Sequence, residues 1–169
     1  MKICIVSDSH DASPLLAAAV ERARARNAAV VLHCGDIIGP NTLRAALKLG
    51  LPMHVVHGNN LGDVVALARL AAESAGLLRY HGGDATLSLA GRQLFMTHYP
   101  HIARGMAATG DYDAVFCGHS HRAAIEEQRN VTGGSTPVVN PGTVAGIGAP
   151  ATFVMGDLEH LTFSIEHLS

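Results

Sequence analysis

Residues 1–10 read Met1-Lys2-Ile3-Cys4-Ile5-Val6-Ser7-Asp8-Ser9-His10, and residues 29–36 read Ala29-Val30-Val31-Leu32-His33-Cys34-Gly35-Asp36. Each is a short apolar run that stops abruptly in polar residues, the pattern of a buried strand. Between them, Ser13-Pro14 supplies an N-cap and a first-turn proline, so a helix is expected to run to about Arg26. Working outward, Pro40–Leu49 reads as a helix stopped by Gly50 and Met53–Val56 as a third strand after Pro52. Leu61–Ser74 carries apolar residues at helical spacing and ends near Gly76. The opening third is therefore β-α-β-α-β-α, the signature of a parallel sheet with right-handed crossovers.

The remainder changes character. Ala85–Ala90 and Arg92–Thr97 flank Gly91 as a hairpin, and Asp113–Cys117 is another buried strand. Past Ala123 the pattern is mostly short strands, with Phe153–Met155 and Leu161–Ile165 as a closing antiparallel pair. Segments 60–63, 99–105 and 131–136 read as loops. No linker or internal repeat divides the chain, so one α/β domain over residues 1–169 is expected, two packed sheets with helices outside.

Composition narrows the function classes. At 169 residues the chain is one ordinary domain, and 48% apolar with 15% charged residues excludes disorder and coiled coil. A net charge of −2 gives no general adhesion to nucleic acid or anionic membrane. Trp is absent and aromatics are 4%, so no base-stacking platform is expected. No run of about 20 apolar residues and no signal-peptide core is present, so no membrane association is expected. Cys4, Cys34 and Cys117 lack CxxC spacing and lie in or beside apolar runs, which reads as reduced, buried thiols of a cytoplasmic protein. Low charge permits an apolar interface in a homo-oligomer. The 11 histidines, against 12 Lys and Arg together, stand out.

The polar residues gather where strands end: Asp8-x-His10, Gly35-Asp36, Gly58-Asn59, Thr97-His98 and Gly118-His119-Ser120-His121. In open α/β sheets the carboxyl ends of parallel strands form the ligand crevice, so five strand ends deliver Asp, His or Asn to one rim. Carboxylate with imidazole suits Mn²⁺, Fe or Zn²⁺, and the absence of Cys from these positions argues against a structural zinc site. Any one of these residues has a plain structural role open to it, as a cap, a turn or a satisfied core histidine. Their ordered occurrence at successive strand ends does not.

This series, with Asn140-Pro141-Gly142-Thr143, resembles the calcineurin-like metallophosphoesterases, and among them the small phosphodiesterases of the YfcE and VPS29 type. The resemblance covers the chain from its first strand to about residue 143. It implies a four-layer β-sandwich of two mixed sheets flanked by helices, and a small phosphoester, a diester first, as substrate. It also implies two divalent metals, Mn²⁺ first, with Fe, Zn²⁺ or Ni²⁺ as alternatives. One would be held by Asp8, His10, Asp36 and His121, the other by Asp36, Asn59, His98 and His119. In that family's chemistry a hydroxide bridging the two metals attacks phosphorus, and Asn59 can also donate its amide N–H to the phosphate.

The departures matter. Many members carry a His-Asp pair, and close small relatives a Cys, where this chain has Asn60 and Leu61. Asn60 supplies no proton at neutral pH and becomes a substrate-contact candidate. His101 is the substitute catalytic histidine, His57 a second rim candidate, and Arg104 and Arg122 are candidate phosphate clamps. Asp11, after the first His, adds negative charge near an anionic substrate. His33, His54, His81, His160 and His167 lie off the series and are assigned no chemistry. The reading is a metal-dependent phosphodiesterase or phosphatase; the rival is a VPS29-like protein-binding scaffold with weak or no catalysis.

Overall fold

A computed structural model describes residues 1–168. The first half comprises β1 (Lys2–Val6), α1 (Ser13–Ala25), β2 (Ala28–His33), α2 (Pro40–Leu47), β3 (Met53–Val55), α3 (Val64–Glu73) and β4 (Leu78–Tyr80). Then follow β5 (Asp84–Leu89), β6 (Arg92–Thr97), α4 (Pro100–Thr109), β7 (Ala114–Phe116), β8 (Ala123–Arg129), β9 (Ser135–Pro141), β10 (Thr152–Asp157) and β11 (Thr162–His167).

Two mixed sheets result. The six-stranded one runs β11-β10-β1-β2-β3-β4, with β1 to β4 parallel and the β10–β11 pair closing it antiparallel. The five-stranded one runs β5-β6-β7-β9-β8, with β6, β7 and β9 parallel and antiparallel strands at both edges. The two-residue period of a strand sorts the side chains. In β1, Ile3 and Ile5 join the cluster between the sheets with Leu94, Met96 and Phe116, while Cys4 and Val6 pack with Leu16 and Val20 of α1. On the far side Phe95, Val115 and Val138 meet Ala103 and Ala107 of α4. The layers are therefore α/β/β/α, as the sequence implied. Each fully buried Ile, Leu or Phe contributes about 1.5–3 kcal/mol to this core.

Four local expectations change. Segment 99–105 is not a loop, because α4 occupies Pro100–Thr109; it buries only Ala103 and Ala107, too little apolar surface for its periodicity to stand out. The 131–136 loop is shorter than expected, since β9 begins at Ser135. Helix α3 starts at Val64, capped by Asp63 Oδ1 accepting from Ala66 N (2.8 Å) rather than running from Leu61. Ser13 is the first residue of α1, not its cap, which is Ala12. Strand β4, three residues long, gave no signal. No helix among the described residues is long and apolar enough to cross a membrane.

All five polar strand ends lie at one end of the sandwich because β1, β2 and β3 run parallel in one sheet and β6 and β7 in the other. Backbone bonds lace that end together: Asp8 N to Gly35 O (3.0 Å), Gly118 N to His98 O (3.0 Å) and, between sheets, Val144 N to Ser7 O (3.0 Å).

At the edge of the larger sheet the rings of His54 and His81 stack, with Nδ1 and Nε2 2.9 Å apart. Burial pushes His54 down from 6.5 to about 4, and the neighbouring His81 and Arg79 add to the shift. The unfolded chain therefore binds the extra proton, so stability is fully present above about pH 6.5 and falls as the pH drops towards 4. Urea unfolding should show His54→Leu removing about 1–2 kcal/mol of that loss once screening is allowed for. Parallel pH profiles for variant and wild type would refute the assignment.

Candidate metal centre

The backbone bearing the predicted ligands is unusual. Asp8 (φ 52°), His10 (44°), Asp36 (55°), His119 (71°) and His121 (58°) all lie in the left-handed region. Only a few per cent of non-glycine residues do so, with Asp and His among the more tolerant. Each strand is turned sharply at its last polar residue, so that the side chain points inward. Hydrogen bonds hold these turns: His10 N to Asp36 O (2.8 Å), Thr42 Oγ1 to His10 O (2.9 Å) and Thr143 Oγ1 to Asp8 O (3.0 Å).

The turns converge the ligand atoms. Asp8, His10 and His121 form one close group of donors, and Asp8, Asp36 and His98 another. Asp36 lies between the halves, with Oδ2 4.0 Å from His10 Nε2 and Oδ1 3.4 Å from His98 Nε2. Asn59 Oδ1 is 3.1 Å from His98 Nε2 and 2.8 Å from His119 Nδ1. All seven predicted ligand residues are thus brought together.

Tautomers show what these contacts are. His98 Nδ1 donates to Cys34 O (2.7 Å) and His121 Nδ1 donates to Ile147 O (2.7 Å). In the neutral rings this leaves the Nε2 lone pairs facing Asn59 Oδ1 and Asp8 Oδ1. Asp8 Oδ1 and His10 Nε2 are themselves buried without any hydrogen-bond partner. Acceptors aimed at acceptors repel unless something positive lies between them, so this constellation fits divalent cations. With carboxylate, imidazole and amide donors, Mn²⁺, Fe, Zn²⁺ and Ni²⁺ are the matching ions. The cysteines take no part: burial pushes the Cys4 and Cys117 thiols up to about 12, and Cys34 well above its ordinary value.

Supporting residues carry roles that the sequence did not show. Asn60 donates to Asp36 through its backbone N (2.9 Å to Oδ1) and its Nδ2 (2.6 Å to Oδ2). Burial raises the Asp36 carboxyl, but these two bonds and the nearby His98 and His10 outweigh it and hold the group below its ordinary value. Asn140 donates to Gly118 O (2.8 Å) and Ser120 Oγ (3.0 Å), fixing the loop that carries His119 and His121. His33, assigned no chemistry, is a strut: its Nδ1 accepts from Gly35 N (3.2 Å) and its Nε2 bonds Ser9 Oγ (2.9 Å). Burial pushes it down to about 3, so it stays neutral.

The outer candidates divide. His101, the second residue of α4, is exposed at the rim with its ring 5.7 Å from that of Tyr99. His57 Nδ1 is held by Tyr80 Oη (2.6 Å). Arg104 is engaged with Glu126 (3.1 Å), whereas the exposed Arg122 side chain has no ion-pair partner among the described residues. Both arginines line a cleft of about 340 Å³ whose wall includes Ser120, between the two loop histidines. Asp11 and Leu61 are exposed.

Residues 1–161 match the calcineurin-like phosphoesterase superfamily domain. The chain belongs to that superfamily. A phosphodiesterase of Methanocaldococcus jannaschii is 28% identical over 148 residues, 86% of each chain. An archaeal phosphodiesterase of known structure superposes with a TM-score of 0.89 at 26% identity, covering 99% of this chain and 100% of that one. YfcE, a phosphoesterase from E. coli, gives 0.65 at 19% identity with 100% of both chains covered, a likeness of fold alone. The fold is the one the sequence resemblance implied.

Close packing of the centre predicts a sharp steric response. A Cβ at Gly58 would run into Asp36 Oδ1 and lie 2.6 Å from His98 Cδ2, and one at Gly118 would strike Ser7 Oγ. At Gly105, within α4, a Cβ meets nothing within 4 Å. Gly58→Ala should therefore lose about 1–3 kcal/mol in urea unfolding, while Gly105→Ala should be neutral or stabilised by up to about 1 kcal/mol. Equal effects would contradict the packing.

Proposed function

We propose that this chain hydrolyses phosphodiesters using two divalent cations, Mn²⁺ first among them. Asp8, His10, Asp36 and His121 would hold one, and Asp36, Asn59, His98 and His119 the other. The observation that carries this reading is the pair of buried atoms Asp8 Oδ1 and His10 Nε2, which have no hydrogen-bond partner among the described residues, set beside imidazoles whose Nδ1 bonds turn Nε2 to the same space. The diester preference rests on the phosphodiesterase relatives. When bound, such a pair of cations supplies Lewis acidity that ionises water near neutral pH and offsets phosphoryl charge.

The chain's own groups supply the rest. Asn59 and His119 are exposed, so they form the face that a substrate meets. With Asn59 Oδ1 turned to the histidines, its Nδ2 is free to donate to a phosphoryl oxygen. Asn60, with both its backbone N–H and its amide committed to Asp36, orients that carboxylate instead of contacting substrate. Arg122, beside the loop, has no ion-pair partner among the described residues; Arg104 reaches substrate only by leaving Glu126.

Position 60 gives no proton to a departing alkoxide, so His101 is the rim group that can. His101→Ala should leave turnover of a nitrophenyl diester nearly unchanged and lower that of a poor-leaving-group alkyl ester by about 100-fold. Equal effects on both esters would remove His101 from this role.

A VPS29-like scaffold would need neither the fixed tautomers nor the buried lone pairs, and their presence favours hydrolysis. Metal-stripped protein should be inactive on bis(p-nitrophenyl) phosphate and recover with Mn²⁺. Asp36→Ala and His119→Ala should each reduce the recovered rate at least about 1,000-fold. Inactivity of the fully metallated wild type across mono- and diester panels would overturn the enzyme reading.

A further inference from the structure

Histidines that hold metals are ordinarily fixed by a hydrogen bond at the ring nitrogen facing away from the metal. His98 and His121 have that anchor in the carbonyls of Cys34 and Ile147, each at 2.7 Å. His119 does not. Among the described residues its one side-chain hydrogen-bonding contact is Nδ1 to Asn59 Oδ1 (2.8 Å), on the ligand side, and the residue is exposed. An exposed imidazole without an anchor is free to change rotamer, at an entropic cost whenever it must stay in one.

What abuts the His119 ring is Tyr99, with centroids 5.4 Å apart at 60°. The same Tyr99 ring meets His98 edge-on at 5.3 Å and 77°, and His98 meets His119 at 5.1 Å and 73°. Three rings thus close a triangle, each edge to face, the geometry that aromatic quadrupoles favour. Tyr99 is itself well held. It is the N-cap of α4 in extended conformation (φ −95°, ψ 123°), its carbonyl accepts from Ala103 N (3.0 Å), and His101 tilts onto it at 5.7 Å. Pro100 follows directly and restricts its backbone further.

We propose that Tyr99 is a positioning residue: its ring fixes the orientation of His119 and thereby the cation position formed by Asn59, His98 and His119. This rests on the reading of those residues as metal ligands. The ring replaces the hydrogen bond that His98 and His121 possess. Because the contact is made by the ring, phenylalanine should substitute for it and alanine should not.

The test is calorimetric titration of metal-stripped protein with Mn²⁺, beside NMR of the histidine rings in the metal-free protein. Wild type and Tyr99→Phe are expected to bind two equivalents with the same affinities. Tyr99→Ala should lose about 10-fold or more at one equivalent and keep the other. In the metal-free spectra the His119 ring signals should shift and average in Tyr99→Ala, while those of His121, anchored by Ile147, stay in place. Unchanged affinities and His119 signals in Tyr99→Ala would overturn the proposal, as would a loss in Tyr99→Phe equal to that in Tyr99→Ala. If wild type takes up no Mn²⁺, the metal reading fails, and the NMR comparison still decides whether Tyr99 positions His119.

Discussion

The structure depends on two carboxylates buried with imidazoles, and no lysine or arginine, beside them. Asp8 is 0% and Asp36 1% exposed, and among the described residues neither pairs with Lys or Arg. A buried charge left in this state is strongly unfavourable, because desolvation exceeds what a few hydrogen bonds return. The groups around them are imidazoles, two of which give their Nδ1 hydrogens to backbone carbonyls and turn Nε2 inward. A fold that keeps such a cluster, with left-handed backbone at five of its members, has committed its strand ends to binding positive charge.

That commitment explains the close packing nearby. Glycine at 58 and 118 lets loops approach carboxylates where any side chain would collide. The segment leaving β9 ties the halves together: Asn140 fixes the Gly118–Ser120 loop, and Thr143 Oγ1 reaches Asp8 O across 135 residues of sequence. The Asn140 bonds lie within the five-stranded sheet, whereas the Thr143 bond exists only once the two sheets have docked. The centre is therefore a tertiary feature, and its geometry is only as firm as the interface between the sheets.

This is also why the sequence revealed the candidate ligands but not their setting. The first three strands and the residues at their ends are local patterns, apolar runs stopped by Asp, His or Asn. The Asn140-Pro141-Gly142-Thr143 run was visible as a motif, yet its partners lie far away in the chain, so its function as a tie was not. His33 looked incidental because a strand histidine says nothing of Ser9 and Gly35 beside it. Helix α4 escaped notice although Pro100 begins it and Gly110 ends it, because its buried face is two alanines. Left-handed φ at Asp8 or His121 has no signature in composition or periodicity at all.

Position 60 shows how local chemistry and function separate. Read as a missing histidine, it suggests a weakened enzyme. In the structure Asn60 closes both N–H bonds on Asp36, the carboxylate between the two halves of the centre. An imidazole or thiol there would have to release the Nδ2 bond that keeps Asp36 in its place. The residue thus exchanges a proton donor for a rigid, ionised carboxylate. Around it, Tyr99, His101 and Arg122 stand at the rim, outside this pair of bonds.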